Sequence, residues 1–132
     1  MNILIEKSRY LKTIQQEFQL MFPQLKIEFY KNKNTELNGH WDILDCHLTI
    51  SELLPQAIEG TLEIVPVMTV SELEQQFEMQ FGLHVQVFRK SGNVWLQTGR
   101  TDSWTLGQQN QEAIDMNKPL SSPEPEDYRE QE

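Results

Sequence analysis

The sequence predicts a two-layer α/β domain of the α+β kind: a small mixed sheet of about four strands with two main helices on one face. Three observations carry this reading. Two stretches of helical apolar period, 9–22 and 70–81, each run directly into a stretch of period 2. A breaker stands at each change of period, Pro23 in the first and Gly82 in the second. Three capping patterns, starting at Thr49, Thr69 and Thr105, mark further helix starts. The predicted order is α-β-(short α)-β-α-β-β-(short α), with one compact domain over 1–116 and a disordered, acidic, proline-rich tail over 117–132.

In the first helix Leu11, Ile14, Phe18 and Phe22 repeat at i, i+3, i+7 and i+11, with Lys12, Gln15, Gln16 and Gln19 on the wet side. Pro23 ends it, lacking an N–H and clashing with the preceding turn. Leu25, Ile27 and Phe29 then alternate with Lys26, Glu28 and Tyr30, which is a strand pattern. Lys31 to Gly39 reads as a polar loop, and His40 to His47 leads from it into the Thr49/Glu52 capping box. Pro55 limits the helix that follows to a short or kinked one.

Thr61 to Val65 is a strand closed by Pro66. The central helix is the best-marked element. Thr69 and Glu72 cap it, Met68 and Leu73 form a hydrophobic staple, and Val70, Leu73, Phe77 and Phe81 make the buried stripe. After Gly82, Leu83, Val85 and Val87 alternate with His84, Gln86 and Phe88, and Ser91-Gly92-Asn93 turns the chain into Val94 to Thr98 as a hairpin. If strands 61–65 and 83–89 share a sheet, they should be parallel with a right-handed crossover. Thr105 and Gln108 start a helix of one or two turns, with Trp104 as the staple that pins it to the body.

The two helix–strand units match. Leu11, Ile14, Phe18 and Phe22 correspond to Val70, Leu73, Phe77 and Phe81 at an offset of 59, and Leu25, Ile27 and Phe29 to Leu83, Val85 and Val87 at 58. Duplication is one reading. The more economical one is that any two such units packed on one sheet need the same pattern.

The net charge of −9 divides into −5 from Glu112 onward and −4 over 1–111. Such a chain is a poor partner for double-stranded DNA, where affinity comes mainly from phosphate neutralisation. Cys46 is the single cysteine, so no internal disulfide can form, as suits a reducing compartment. The apolar start Ile3-Leu4-Ile5 is too short for a signal segment, and no apolar run of 18 residues exists. The expectation is a cytoplasmic protein with no membrane partner.

Chemistry is sparse. His40, Asp42, Asp45, Cys46 and His47 are metal-ligating types, but their spacing matches no standard zinc pattern. A helix would group Asp42 with Cys46, and a strand His40 with Asp42 and Cys46, neither reaching four ligands. No metal or cofactor is assigned on sequence. Neighbours Cys46 and His47 point apart in a strand, and the glycines are scattered, so no catalytic residue and no phosphate loop is assigned either.

The sheet is more informative. If Leu25, Ile27, Phe29, Leu83, Val85 and Val87 face the helices, then Lys26, Glu28, Tyr30, His84, Gln86 and Phe88 face outward, joined by Trp95 and Gln97. The expected interaction surface is Tyr30, His84, Gln86, Phe88, Trp95 and Gln97, together with Trp104. Aromatics rimmed by polar groups are typical interface anchors. The competing structural reading is that the 31–48 loop or the tail folds over them. The expected function is a small non-catalytic protein-interaction module, binding a protein partner or a second copy as a homodimer. The alternatives are a single-stranded nucleic-acid binder on the same face, and a small hydrolytic or metal-dependent enzyme using the 40–47 segment.

Overall fold

A computed structural model describes residues 1–31, 43–54, 56 and 58–118. In chain order the elements are β1 (Asn2–Ile5), α1 (Leu11–Met21), β2 (Leu25–Tyr30), α2 (Ile50–Leu53), β3 (Gly60–Glu63), α3 (Val70–Phe81), β4 (His84–Ser91), β5 (Val94–Gln97) and α4 (Leu106–Met116). This is a small α+β fold. Most of the polar loop, with His40, Trp41 and Asp42, and the tail from Pro119 lie outside the described residues.

The helical stripes are buried as their period requires: Leu11, Ile14 and Phe18 of α1, and Val70, Leu73, Phe77 and Phe81 of α3. All three capping boxes close. Thr69 Oγ1 accepts from Glu72 N at 3.1 Å while the Glu72 carboxylate accepts from Thr69 N at 2.8 Å, and Thr49/Glu52 and Thr105/Gln108 repeat the arrangement. Gly82 ends α3 at φ 70°, a left-handed conformation that glycine adopts without a Cβ penalty. α1 has no side-chain cap. Its first free N–H groups donate instead to the connecting loop, Leu11 N to Leu48 O at 2.9 Å and Lys12 N to Cys46 O at 2.8 Å.

The strands form two antiparallel sheets, β1–β3 and β2–β4–β5, where the sequence suggested one mixed sheet. β3 and β4 therefore do not share a sheet, and the parallel crossover does not arise. The reason is that β2 and β5 fill the two edges of β4, and β3 pairs with β1. β1 adds a strand that the sequence pattern does not mark. Its four residues alternate exposed and buried, with Ile3 and Ile5 facing inward into the core that Leu62 and Ile64 of the other half share. Phe29 meets Phe77 edge to face at 5.9 Å in the same core.

The match between the halves is a repeat in space. In the first half Ile50 N and Ser51 N donate back to Arg9 O and Lys7 O; in the second, Leu106 N and Gly107 N donate to Met68 O and Pro66 O. The outward bonds from Leu11 and Lys12 to Leu48 and Cys46 recur as bonds from Val70 and Ser71 to Trp104 and Asp102. Both ladders are centred on counterparts. Ile3 stands opposite Leu62, and Glu28 opposite Gln86. Two β-α-β-α halves, the second with β5 added before its last helix, are thus arranged about a local pseudo-twofold axis, which a shared packing demand alone does not require.

α4 runs eleven residues, longer than its sequence pattern suggested. Docking extends it: Asn110 Oδ1 accepts from Gln24 N at 2.9 Å, and Asn117, just past the helix, clamps the β4–β5 hairpin. Asn117 Oδ1 accepts from Gly92 N at 2.7 Å and its Nδ2 donates to Lys90 O at 3.0 Å. Among the described residues no helix is long and apolar enough to cross a membrane.

Candidate interaction surface

Period 2 places alternate residues of β2, β4 and β5 on the face turned away from Leu25, Ile27, Phe29, Val85 and Val87, all of which are buried. The register then sets the neighbours. Tyr30 stands opposite His84, Glu28 opposite Gln86, Lys26 opposite Phe88, Phe88 opposite Gln97, and Lys90 opposite Trp95.

At the hairpin end, Phe88 and Trp95 are half-buried and Gln97 is exposed. The Lys26 ammonium lies 5.6 Å from the centroid of the Phe88 ring and 4.9 Å from that of Trp95. The same ammonium pairs with Glu28 Oε2 at 3.2 Å, and Gln15 Nε2 of α1 donates to Glu28 Oε1 at 3.0 Å. One cation is thus shared by two aromatic rings and a carboxylate, which ties Phe88 and Trp95 to the same side of the sheet. Alternation alone turns Lys26 outward without linking it to the expected surface. Only the diagonal contact to Trp95, two strands away, makes that link.

The other end differs. Tyr30 is 7% exposed and its hydroxyl donates to Val85 O at 3.2 Å, while its ring stacks on half-buried His84 with centroids 6.3 Å apart. Gln86 is 6% exposed and its amide donates to Val87 O at 3.0 Å. Tyr30, His84 and Gln86 therefore share the face with Phe88, Trp95 and Gln97, but Tyr30 and Gln86 present little surface. A cavity of about 190 Å³ opens beside Tyr30 and His84 and is lined by Ser71, Glu74 and Glu78 of α3.

Trp104 stands apart. Arg89, which projects to the opposite side of β4 from Phe88, places its guanidinium 5.7 Å from the Trp104 ring and donates to Gln109 Oε1 at 2.9 Å. Gln109 is fully buried and its Nε2 donates to both Thr101 O and Thr101 Oγ1 at 2.7 Å. Trp104 itself is 36% exposed, and the backbone does much of the pinning expected of its ring, through Val70 N to Trp104 O at 3.0 Å. A polar residue at a helical core position was the only sequence signal for Gln109.

The described part of the 40–47 segment is neither helix nor regular strand. Ile43 bridges Tyr30, Leu44 N donates to Phe29 O at 2.7 Å, and a turn follows. In it Asp45 Oδ1 accepts from His47 N at 2.9 Å and lies 3.0 Å from His47 Nδ1, while Cys46 Sγ lies 3.8 Å from that same nitrogen. The backbone hydrogen bond, and then the side-chain one, hold the Asp45 carboxyl below the ordinary carboxylate range. A nucleophile–base–carboxylate relay needs its outer members on different ring nitrogens. Here both address Nδ1, so the turn is not built as such a relay.

The chain matches no protein-family model, no curated protein and no solved structure.

Proposed function

We propose that the chain is a small interaction module without catalytic activity, engaging a protein partner or a second copy of itself through the hairpin end of the outer sheet face. The supporting observation is the Lys26 ammonium held between Phe88 and Trp95, which sets two large rings side by side on one surface with Gln97 on its rim. Rigid aromatics with a polar rim bring much apolar area to an interface at low ordering cost. The net charge of −9 favours a protein over a nucleic acid as partner. A cytoplasmic location fits a single thiol, Cys46.

The test is the double substitution Phe88→Glu with Trp95→Glu, followed by far-UV circular dichroism and sedimentation equilibrium or partner capture. The expected result is an unchanged fold with self-association or capture lost. Unchanged association in a folded double variant would remove this face from consideration and move the search to Trp104 and the start of α4.

A further inference from the structure

We propose that Asp45, Cys46 and His47 form a zinc site, with the Asp45 carboxylate, Cys46 Sγ and His47 Nδ1 as protein ligands and solvent in the fourth position. The inference is independent of the aromatic face.

The geometry comes first. The three ligand atoms all lie within 4.8 Å of one another, with Oδ1 to Nδ1 at 3.0 Å and Sγ to Nδ1 at 3.8 Å. Zinc bonds of about 2.0–2.3 Å arranged tetrahedrally give ligand–ligand edges of roughly 3.3–3.8 Å. Two edges of such a triangular face, carboxylate to Nδ1 and Sγ to Nδ1, are near these lengths, and the third, between Sγ and the carboxylate, lies within 4.8 Å and closes by side-chain rotation on binding.

The turn is also held in place before any ion arrives. Leu44 N donates to Phe29 O, Lys12 N to Cys46 O and Leu11 N to Leu48 O, so the backbone on both sides of the ligands is tied to β2 and α1. Much of the ordering cost of a loop site is thereby already met by the fold.

The internal repeat supplies the third observation. The corresponding turn of the second half carries Thr101, Asp102 and Ser103, and its backbone makes the matching bond from Ser71 N to Asp102 O. The fold therefore builds this turn without cysteine or histidine. Burial does not explain them either, since Asp45 and His47 are exposed and Cys46 is half-buried. The donor set itself selects the ion: thiolate and imidazole suit zinc and do not suit magnesium or calcium.

On binding, the Cys46 thiol releases its proton to solvent. The metal takes the place of the Nδ1 proton that His47 donates to Asp45, and on the neutral ring that proton passes through solvent to Nε2. Net release is one proton per ion when His47 starts neutral.

The test uses the full chain, with zinc titrated against a chromophoric competitor at neutral pH and cobalt(II) as the spectroscopic substitute. We expect one ion per chain, a sulfur-to-cobalt charge-transfer band, and proton release visible as buffer-dependent heat. Cys46→Ser and His47→Ala should each weaken binding by about tenfold or more, and Cys46→Ser should abolish the band, with the far-UV spectrum unchanged. Stoichiometric binding that survives in Cys46→Ser/His47→Ala would overturn the assignment. So would a wild-type affinity no better than that of the double variant.

Discussion

Glu28 and Gln86 face each other across the β2–β4 ladder, and each holds in its own half the position that the other holds in the second. The local pseudo-twofold axis passes through this pair at the centre of the outer face. It relates Lys26 to His84 and Phe88 to Tyr30, so each end of the face carries a basic residue beside an aromatic ring. The two ends have diverged. At one, Tyr30 is buried and its hydroxyl bonded; at the other, β5 adds Trp95, and both rings stay half-buried beneath Lys26.

Phe77 is fully buried and packs edge to face on Phe29 between the halves. Phe77→Ala should cost about 3–5 kcal/mol, and Phe18→Ala, its counterpart in α1, a similar amount. Urea denaturation measures both. A near-neutral Phe77→Ala would contradict the burial of the α3 stripe.

Gln109 joins Arg89 to Thr101 inside the molecule. Gln109→Ala removes the partner of one Arg89 nitrogen and the amide donor to Thr101 O and Oγ1, leaving the Thr101 carbonyl its bond from Trp104 N, and should cost roughly 1–3 kcal/mol. Thermal unfolding of the variant, compared with Gln111→Ala on the exposed side of α4, separates this loss from a change in helix propensity.

Asn117 fastens the end of α4 to the β4–β5 hairpin through Gly92 and Lys90. Asn117→Ala should cost about 1–2 kcal/mol, as expected for partly exposed hydrogen bonds. A chain cut after Lys118 should keep its thermal midpoint, whereas one cut after Met116 should melt several degrees lower. Equal midpoints for the two truncations would show that the clamp contributes nothing.

Lys26 and Trp95 form the diagonal contact that aligns the aromatic patch. A double-mutant cycle of Lys26→Ala and Trp95→Ala should return a coupling of about 0.5–1 kcal/mol, the range of a partly exposed cation–π contact. Zero coupling in a chevron or urea series would mean that the ammonium and the ring act independently.

The sequence by itself determined the pieces whose causes are local. Thr69 and Glu72 are three residues apart, Gly82 follows the last turn of α3, and Gly92-Asn93 closes a hairpin whose strands it joins directly. Each was legible because the interacting groups lie within one or two helical turns or one tight loop. The same holds for which residues of β2, β4 and β5 turn outward, since period 2 is a property of the strand itself.

Tertiary structure decided who meets whom. β1 is only four residues, and its Ile3 and Ile5 become a strand through Leu62 and Ile64 in the other half. β4 takes β2 and β5 as neighbours and leaves β3 to β1, a choice set by partners tens of residues away. Trp104 and Phe88 fall on opposite sides of β4 because Arg89, which meets Trp104, is one position from Phe88 on a strand of period 2. Asp45, Cys46 and His47 converge because backbone bonds from β2 and α1 bend 44–48 into a turn, which neither a strand nor a helix pattern describes. Alternation fixes the face on which a side chain lies, while its neighbours there depend on long-range pairing that no local pattern contains.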